Sequence, residues 1–492
     1  MEAFLSEEAT YHLLPFRFMR WRDGRVLLVN DVGEFHFIAA GELAPLIHHQ
    51  VPRTSPLYLD LLAKHMIADG GLSTAVDLVA TKYRTKKSFL AGFTGLHMFV
   101  VTLRCDHTCK YCQVSRVSED KEAFDMSRET AMQSVDLMFR SPSPDLKVEF
   151  QGGEPLLNLD IIRLIIEYTK KINRGEDRNL EFVVATNLSK LDRAAIDLFK
   201  EHDVLISTSL DGPAHVHDGN RPNRKRDSHE QTVQNILIAR EALGHDRVAA
   251  LMTTTGLSLE SPREIVREYV RLGFESIFLR SVSPYGFAIT SGQSRSYDAQ
   301  GFVEFFKEAL DEIIEANREG AEIIEVYSQI LLTKILTPFA TGYVDLQSPA
   351  GTGIGGVVYN YDGGVYASDE SRMLAEMGVD AFNLGNVLED TYQEIFGGPT
   401  LEALINGSVL ETLPGCSDCA FSPYCGADPV RHYATHGDIY GHRPTSDFCS
   451  RNMGIIEHLF DLLNGEDPFV CDLLQGWAWG HATELSTRTG TP

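Results

Sequence analysis

Hydrophobic positions recur along this chain with two different periods, and the order in which the periods alternate is the first clue to its architecture. Six short runs are dense in apolar and β-branched residues: HMFVVTLR (97–104), KVEFQ (147–151), LEFVVATN (180–187), DVLISTSL (203–210), RVAALMTTT (247–255) and SIFLRSV (276–282). Between them lie stretches with apolar residues at helical spacing: SRETAMQSVDLMFR, LDIIRLIIEYTKKI, AAIDLFKEH, HEQTVQNILIAREAL and SPREIVREYVRLG, with FVEFFKEALDEIIEANR after the sixth run. Six strand–helix units with near-continuous apolar strands predict an α/β region, 96–318, whose parallel sheet is buried on both faces. Six is short of the eight units of a closed barrel, and a doubly wound open sheet fits the count equally well.

The flanks read differently. Over residues 1–95, FRFMRWRDGRVLLVNDVGEFHFI predicts short strands broken by turns at Asp23-Gly24 and Asp31-Val32-Gly33, followed by three helical patterns, a small α+β unit. Residues 319–480 are less regular: 351-GTGIGGVVYNYDGGVYASDESRML-374 predicts a hairpin turning at Asp362-Gly363-Gly364, and 416–455 is loop-rich. The tail 481–492, ending STRTGTP, is expected to be disordered. There is no internal repeat.

Composition narrows the function classes. A chain of 492 residues predicts two or three domains. The net charge of −25 opposes binding to phosphate backbones, so no nucleic acid is expected as a partner. The opening MEAFLSEEAT is acidic where a signal peptide is basic and then apolar, and IIRLIIEY is cut by Arg163 and Glu167 before it reaches membrane-spanning length. A cytoplasmic protein with reduced thiols is the expectation.

Cysteine placement carries the chemistry. Three cysteines lie at 105, 109 and 112, four at 416, 419, 425 and 449, and Cys471 stands alone in an apolar helical run, where it reads as a buried small hydrophobe. The first group, in 103-LRCDHTCKYCQVSR-116, is C-x3-C-x2-C and follows the first strand of the alternating region, where loops after strand ends build active sites. Three thiolates can hold three irons of a [4Fe–4S] cluster and leave the fourth iron open. A three-cysteine zinc site with a distant fourth ligand is the bland alternative.

This spacing, with Tyr111 before the third cysteine, resembles the signature of the radical S-adenosylmethionine (SAM) family. The resemblance implies a partial (β/α)6 barrel, a catalytic cluster on Cys105, Cys109 and Cys112, and SAM on its open iron, cleaved to a 5′-deoxyadenosyl radical. Later strand ends extend the likeness. The run 150-FQGGEPLL-157 resembles the family's Gly-Gly-Glu motif, which holds the SAM amino group. Asn187, Ser209 and Asp211 stand at polar strand-end positions around SAM, and 215-HVHDGNRP-222 resembles an H-D-x-x-R element whose Arg221 would meet the SAM carboxylate. The implied SAM-binding residues are therefore Tyr111, Gly152, Gly153, Glu154, Asn187, Ser209, Asp211 and Arg221.

The second group, 416-CSDCAFSPYC-425 with Cys449, resembles the SPASM domain of radical SAM peptide maturases, in reduced form. Ala350, Ser368 and Pro429 occupy positions where cysteines of an inner auxiliary cluster would stand, while Cys416, Cys419, Cys425 and Cys449 match an outer one. The resemblance implies one auxiliary [4Fe–4S] cluster; a four-cysteine zinc site uses similar spacing. Asp369, Glu370 and Asp428 are candidates to fill the vacated region. YCQVSR, the opening PFRF and the reduced SPASM pattern are most similar to the maturases of His-Xaa-Ser systems. That likeness implies a small ribosomally made precursor peptide, a partner radical SAM maturase, and an electron donor such as flavodoxin or ferredoxin. The 1–95 unit weakly resembles winged-helix leader-binding elements, with a structural cap as the alternative. Two rivals stand beside peptide maturation: a related enzyme acting on a sulfatase-like protein or a small molecule, and a zinc-bound scaffold without activity.

Overall fold

The computed structural model describes residues 11–112 and 120–489. An antiparallel meander opens the chain: β1 (Phe16–Arg20), β2 (Val26–Asn30) and β3 (Phe35–Ile38), with Phe16 opposite Asn30 and Val29 opposite Phe35. Gly24 and Gly33, at φ 86° and 78°, make the two turns that their Asp-Gly and Val-Gly contexts predict. All five residues of β2 are buried because the meander is covered on both sides. Val26 and Leu28 pack with Tyr11, Tyr58 and Leu61, the last two on α1 (Pro56–Ala63). Leu27 and Val29 join the main core beside Trp21, whose ring meets Phe37, Phe421 and Phe460 edge-on. α2 (Leu72–Lys86) follows, with no fully buried residue.

The alternating region forms as its periodicity predicts. β4 (Leu96–Thr102), β5 (Asp145–Gly152), β6 (Asn179–Thr186), β7 (Leu205–Ser209) and β8 (Val248–Leu251) lie side by side in chain order, all parallel. The helices α3 (Arg128–Met138), α4 (Leu159–Glu176), α5 (Arg193–His202), α6 (Ser228–Leu243) and α7 (Pro262–Arg271) connect them. β9 (Ser276–Ile277) supplies the sixth position: Thr254 and Ser281 form a parallel bridge that carries the array past β8. It is followed by α8 (Ala299–Arg318), capped by Asp298 accepting from the Gly301 amide at 2.8 Å. The main sheet holds five parallel barrel strands and does not close; β9 itself pairs in parallel with Ile324–Glu325, and only the Thr254–Ser281 bridge links the sixth unit to the array.

One expectation needs correction. The sheet is not apolar on both faces: on β5, Leu146, Val148 and Phe150 are buried in the helix-side core, whereas Lys147 is exposed and Glu149 and Gln151 line the barrel interior. Lys147 pairs there with Glu181 of β6 at 2.7 Å. An open barrel keeps water in its lumen, so those positions alternate as in a half-solvated strand.

The C-terminal part is joined to this sheet. After β10 (Ile324–Glu325) and α9 (Val326–Leu336), the predicted hairpin forms from β11 (Gly356–Tyr359) and β12 (Gly364–Tyr366). β11 runs parallel to β4, with Val357 opposite His97, and so extends the barrel sheet beyond its first strand. β12 then pairs with β13 (Asn383–Asn386), after α10 (Asp369–Glu376). α11 (Pro429–His436), α12 (Asp447–Leu463) and α13 (Pro468–Thr489) complete the chain. α13 runs to Thr489 where a disordered tail is expected, since 481–489 contains no glycine or proline to stop it. Cys471 is half-buried rather than enclosed, its sulfur near the carbonyls of Leu462, Leu463 and Gly465 at the end of α12.

Candidate active site

The first cysteine loop leaves the C-terminal end of β4 and is fixed from three directions. Arg104, almost fully buried, forks onto Asp125 through Nε and Nη2, both at 2.7 Å, and Nη2 also donates to the Leu157 carbonyl. The amides of Thr108 and Lys110 donate to the carbonyls of Pro222 and Asn220, and the Phe287 amide donates to the Cys112 carbonyl at 2.8 Å. Burial, then the neighbouring Cys109 and Glu154, push the Cys105 thiol well above its ordinary pKa. The remainder of the YCQVSR run, Gln113–Arg116, lies outside the described residues.

The next strand end crosses back over this loop, and its glycines have a steric cause. A Cβ on Gly152 would stand 2.2 Å from the Thr102 carbonyl oxygen, and one on Gly153 would stand 2.3 Å from that of Arg104. Glu154 follows, fully buried; its carboxylate accepts from the Thr186 hydroxyl at 2.6 Å, the Asn187 amide at 2.8 Å and the Leu156 amide at 3.0 Å. Burial outweighs these donors and pushes its pKa up to about 7. Two carboxylate oxygens offer about four acceptor positions, so one remains for a further donor. Asn187 turns its side-chain amide toward the cysteine loop, 3.9 Å from Cys105 Sγ, 3.3 Å from Asp106 and 3.1 Å from His107 Nδ1. Ser209 is the half-buried last residue of β7, opposite Leu251.

Three other predicted residues are bound to one another. Asp211, fully buried, accepts from the Tyr111 hydroxyl at 2.9 Å on both oxygens, and Arg221 Nε stands 3.1 Å from it. The Arg221 guanidinium also lies over the Tyr111 ring, 5.1 Å from its centroid. Asp211 is therefore the internal counter-ion of Arg221 and does not face an open pocket. The H-D-x-x-R element has comparable internal partners: His217 Nδ1 accepts from the Asp211 amide and Asp218 accepts from the His229 amide. His107 was absent from the sequence-derived set. It belongs to a buried relay in which Ser228 Oγ bridges His107 Nε2 at 2.9 Å and His217 Nε2 at 3.1 Å. Its place inside the C-x3-C loop was the only signal available.

The second cysteine group is enclosed by other parts of the chain. Cys416, Cys419, Cys425 and Cys449 all line one cavity of about 370 Å³, with Phe18, Phe421 and Met453 on its walls. Cys449 sits in the first turn of α12, and Arg443 Nε donates to Cys416 Sγ at 2.9 Å. Burial and the mutual proximity of the thiols push Cys449 up to about 12; burial chiefly pushes Cys419 to about 11. Among the described residues no three His, Cys, Asp or Glu groups converge on one point as ligands of a single ion do. Thiolates of a [4Fe–4S] cluster each bind a different iron and stand apart, so both donor sets suit such clusters in number and softness. Where an inner auxiliary cluster would need three more cysteines, Ala350 is buried, Ser368 caps α10 by accepting from the Ser371 amide, and Pro429 begins α11 behind its cap Asp428.

Comparison with known proteins identifies the domain that carries the first cysteine loop. Residues 99–269 match the family model of the Radical SAM superfamily. The chain carries a radical SAM domain, the domain of an enzyme superfamily that works with a [4Fe–4S] cluster and SAM. It is 26% identical to an uncharacterized protein of Methanocaldococcus jannaschii over 37% of this chain, spanning 61% of that protein's length. It is 22% identical to the cysteine-type anaerobic sulfatase-maturating enzyme of Clostridium novyi over 65% of this chain and 83% of that enzyme. In fold it resembles native anSMEcpe with bound AdoMet (TM-score 0.61, 18% identity, 77% of this chain and 99% of that one). It also resembles SuiB of Streptococcus suis bound to the precursor peptide SuiA (TM-score 0.52, 11% identity, 89% and 99%). Among the described residues no helix is long and apolar enough to cross a membrane.

Proposed function

We propose that this chain is a radical SAM maturase that modifies a ribosomally made peptide, with Cys105, Cys109 and Cys112 holding the catalytic cluster. The observation that supports this most is the convergence of a three-thiol loop with the Glu154 and Asn187 strand ends at the C-terminal ends of three adjacent parallel strands. When bound, the cluster and SAM supply a 5′-deoxyadenosyl radical that removes a hydrogen atom from substrate. The chain supplies position and dryness. Gly152 and Gly153 let β5 lie against the cysteine loop, and Glu154 keeps one acceptor position for an ammonium group. Asn187 spans from the loop to the β6 end. Tyr111 and Asp211 hold Arg221, so the guanidinium is a fixed cation for a carboxylate rather than a mobile one. Cys416, Cys419, Cys425 and Cys449 close a second cluster with no open iron, suited to electron transfer. A flavodoxin or ferredoxin is the natural donor class, and the His-Xaa-Ser likeness suggests a His-Xaa-Ser repeat precursor and a partner maturase.

A second reading, action on a sulfatase-like protein, draws support from the Clostridium novyi relative. One experiment addresses the shared core and then separates the two. Anaerobically reconstituted protein should contain about eight irons and release 5′-deoxyadenosine from SAM on reduction; about four irons would refute the auxiliary cluster, and absence of that product overturns the assignment. Mass spectrometry of co-expressed precursor peptide against a sulfatase-type peptide then identifies which gains or loses mass.

A further inference from the structure

The four-cysteine site has neighbours that its ligand count alone does not require. Arg443 lies in the turn between α11 and α12, and its Nε donates to Cys416 Sγ at 2.9 Å. In so acidic a chain a guanidinium readily finds a carboxylate, yet among the described residues Arg443 forms no ion pair. Its other partner is a neutral acceptor: Nη1 donates to His432 Nε2 at 2.8 Å. His432, 1% exposed on α11, turns Nδ1 to the Ile439 carbonyl at 3.4 Å, which leaves Nε2 to accept. Burial and the guanidinium itself lower the His432 pKa to about 4, so the ring stays neutral. The chain closes tightly over that ring: a Cβ on Gly441 would stand 2.6 Å from His432 Cγ.

A second sulfur is served in the same way. Asn452, fully buried on α12, stands with Nδ2 3.7 Å from Cys425 Sγ. Its Oδ1 accepts from the Tyr327 hydroxyl at 2.8 Å, which turns the amide nitrogen toward the sulfur. Tyr327 is a buried residue of α9. Cys419 meets the backbone amides of Phe421 and Ser422. Each side-chain donor is thus aimed at its sulfur by a buried residue of a different helix behind it.

Such donors act on charge. A cluster reduced by one electron carries more negative charge on its sulfurs, so nearby N–H donors and fixed cations favour the reduced form. The apolar wall of Phe18, Phe421 and Met453 works the other way, because an apolar surrounding penalises added charge. We infer that Arg443 and Asn452 are positioning residues that raise the reduction potential of a [4Fe–4S] cluster on Cys416, Cys419, Cys425 and Cys449. The inference rests on the auxiliary-cluster reading and deepens it: these two side chains set how readily the second site takes up an electron. The step is uptake of one electron from an external reductant, with no bond formed or broken and no proton bound.

The test is an anaerobic potentiometric titration of the full chain holding both clusters, poised with dithionite and redox mediators and read by electron paramagnetic resonance. The second cluster is the one whose signal SAM leaves unchanged. At fixed potential, Arg443→Met should lower its ratio of reduced to oxidised form at least about tenfold, a midpoint shift of about 59 mV for one electron. Arg443→Lys, which keeps the charge, should stay within about threefold of wild type. Asn452→Leu, which removes a neutral donor about half as strong, should lower the ratio about threefold. Iron is counted in every sample. Wild type and Arg443→Met sharing one midpoint, each with about eight irons, overturns the inference. Should Arg443→Met fail to hold the cluster, Asn452→Leu decides, and an unmoved midpoint there overturns it too. Loss of the second cluster from both variants assigns the two residues to assembly and likewise overturns it. Wild type with about four irons, or with zinc at the second site, removes the auxiliary-cluster reading and this inference with it.

Discussion

The two cysteine groups differ in what surrounds them, and under the proposed function the difference would separate an open metal centre from a closed one. The first loop has three thiols, hangs from a strand end and is lined by the partly covered Asn187 and Asp106 and the buried His107, all polar. The second has four thiols in one cavity and is clamped by distant parts of the chain. Arg17 Nε of β1 donates to the Ser417 carbonyl at 2.5 Å, and the Tyr424 hydroxyl donates to the Gly33 carbonyl at 2.8 Å. Phe460, fully buried, touches Trp21, Phe421 and Tyr424 together. A vacant coordination position with polar surroundings suits cosubstrate binding, while a complete thiol set in an aromatic wall suits electron transfer and stability. The 1–95 unit packs against the second cysteine group through these contacts.

The sharpest way to break this contrast is to remove one thiol from each group. Cys109→Ala and Cys425→Ala should each lower the iron content from about eight to about four. Only Cys109→Ala should abolish 5′-deoxyadenosine formation; Cys425→Ala should retain it within about tenfold. Equal loss of product in both variants would erase the functional distinction between the sites.

Much of this contrast could be read from the sequence because it rests on short-range spacing. The six strand–helix units and the meander turns needed only periodicity and Asp-Gly signals. Long-range facts were not legible. Nothing in GVVY announces that β11 adds to β4 in parallel, since an apolar run fits either edge of a sheet. The polar lumen was written in the alternation of Lys147, Glu149 and Gln151 with Val148 and Phe150, but the expectation of a doubly buried sheet concealed it. Arg221 illustrates the limit at the site: its number follows from a motif, while its ion pair with Asp211 comes from a fold that brings residues ten apart to 3.1 Å.

That ion pair offers the next test, because it asks whether the open site is prearranged or merely adjacent to SAM. Arg221→Met leaves Asp211 buried beside Tyr111 with no cation, and breaking a buried pair from one side costs about 3–5 kcal/mol. Urea unfolding should show that loss, and Asp211→Asn added to Arg221→Met should recover most of it. A loss below about 1 kcal/mol, with weakened SAM binding, would mean that Asp211 is a lesser partner and Arg221 is kept for the ligand alone.

The smallest effect concerns the seam by which the C-terminal hairpin joins the barrel. His97 on β4 is 1% exposed; its Nε2 lies 3.0 Å from the Thr94 carbonyl and its Nδ1 2.9 Å from the Tyr359 hydroxyl on β11. The neutral ring satisfies both, donating from Nε2 and accepting at Nδ1, whereas a protonated ring would set two donors against each other. Burial accordingly lowers its pKa from the ordinary 6.5 to about 3. Between those values the unfolded chain takes up a proton that the folded chain refuses, so stability falls as pH drops through the window and is fully present above pH 6.5. Each pH unit inside it is worth up to about 1.4 kcal/mol. His97→Gln can keep one donor and one acceptor without the titration. Wild type should therefore lose about 2 kcal/mol more than this variant on going from about pH 6.5 to about pH 4.5, measured by urea unfolding at each pH. Equal losses would show that the seam is held by the β4–β11 ladder alone and that the acid sensitivity of the fold resides in its carboxylates.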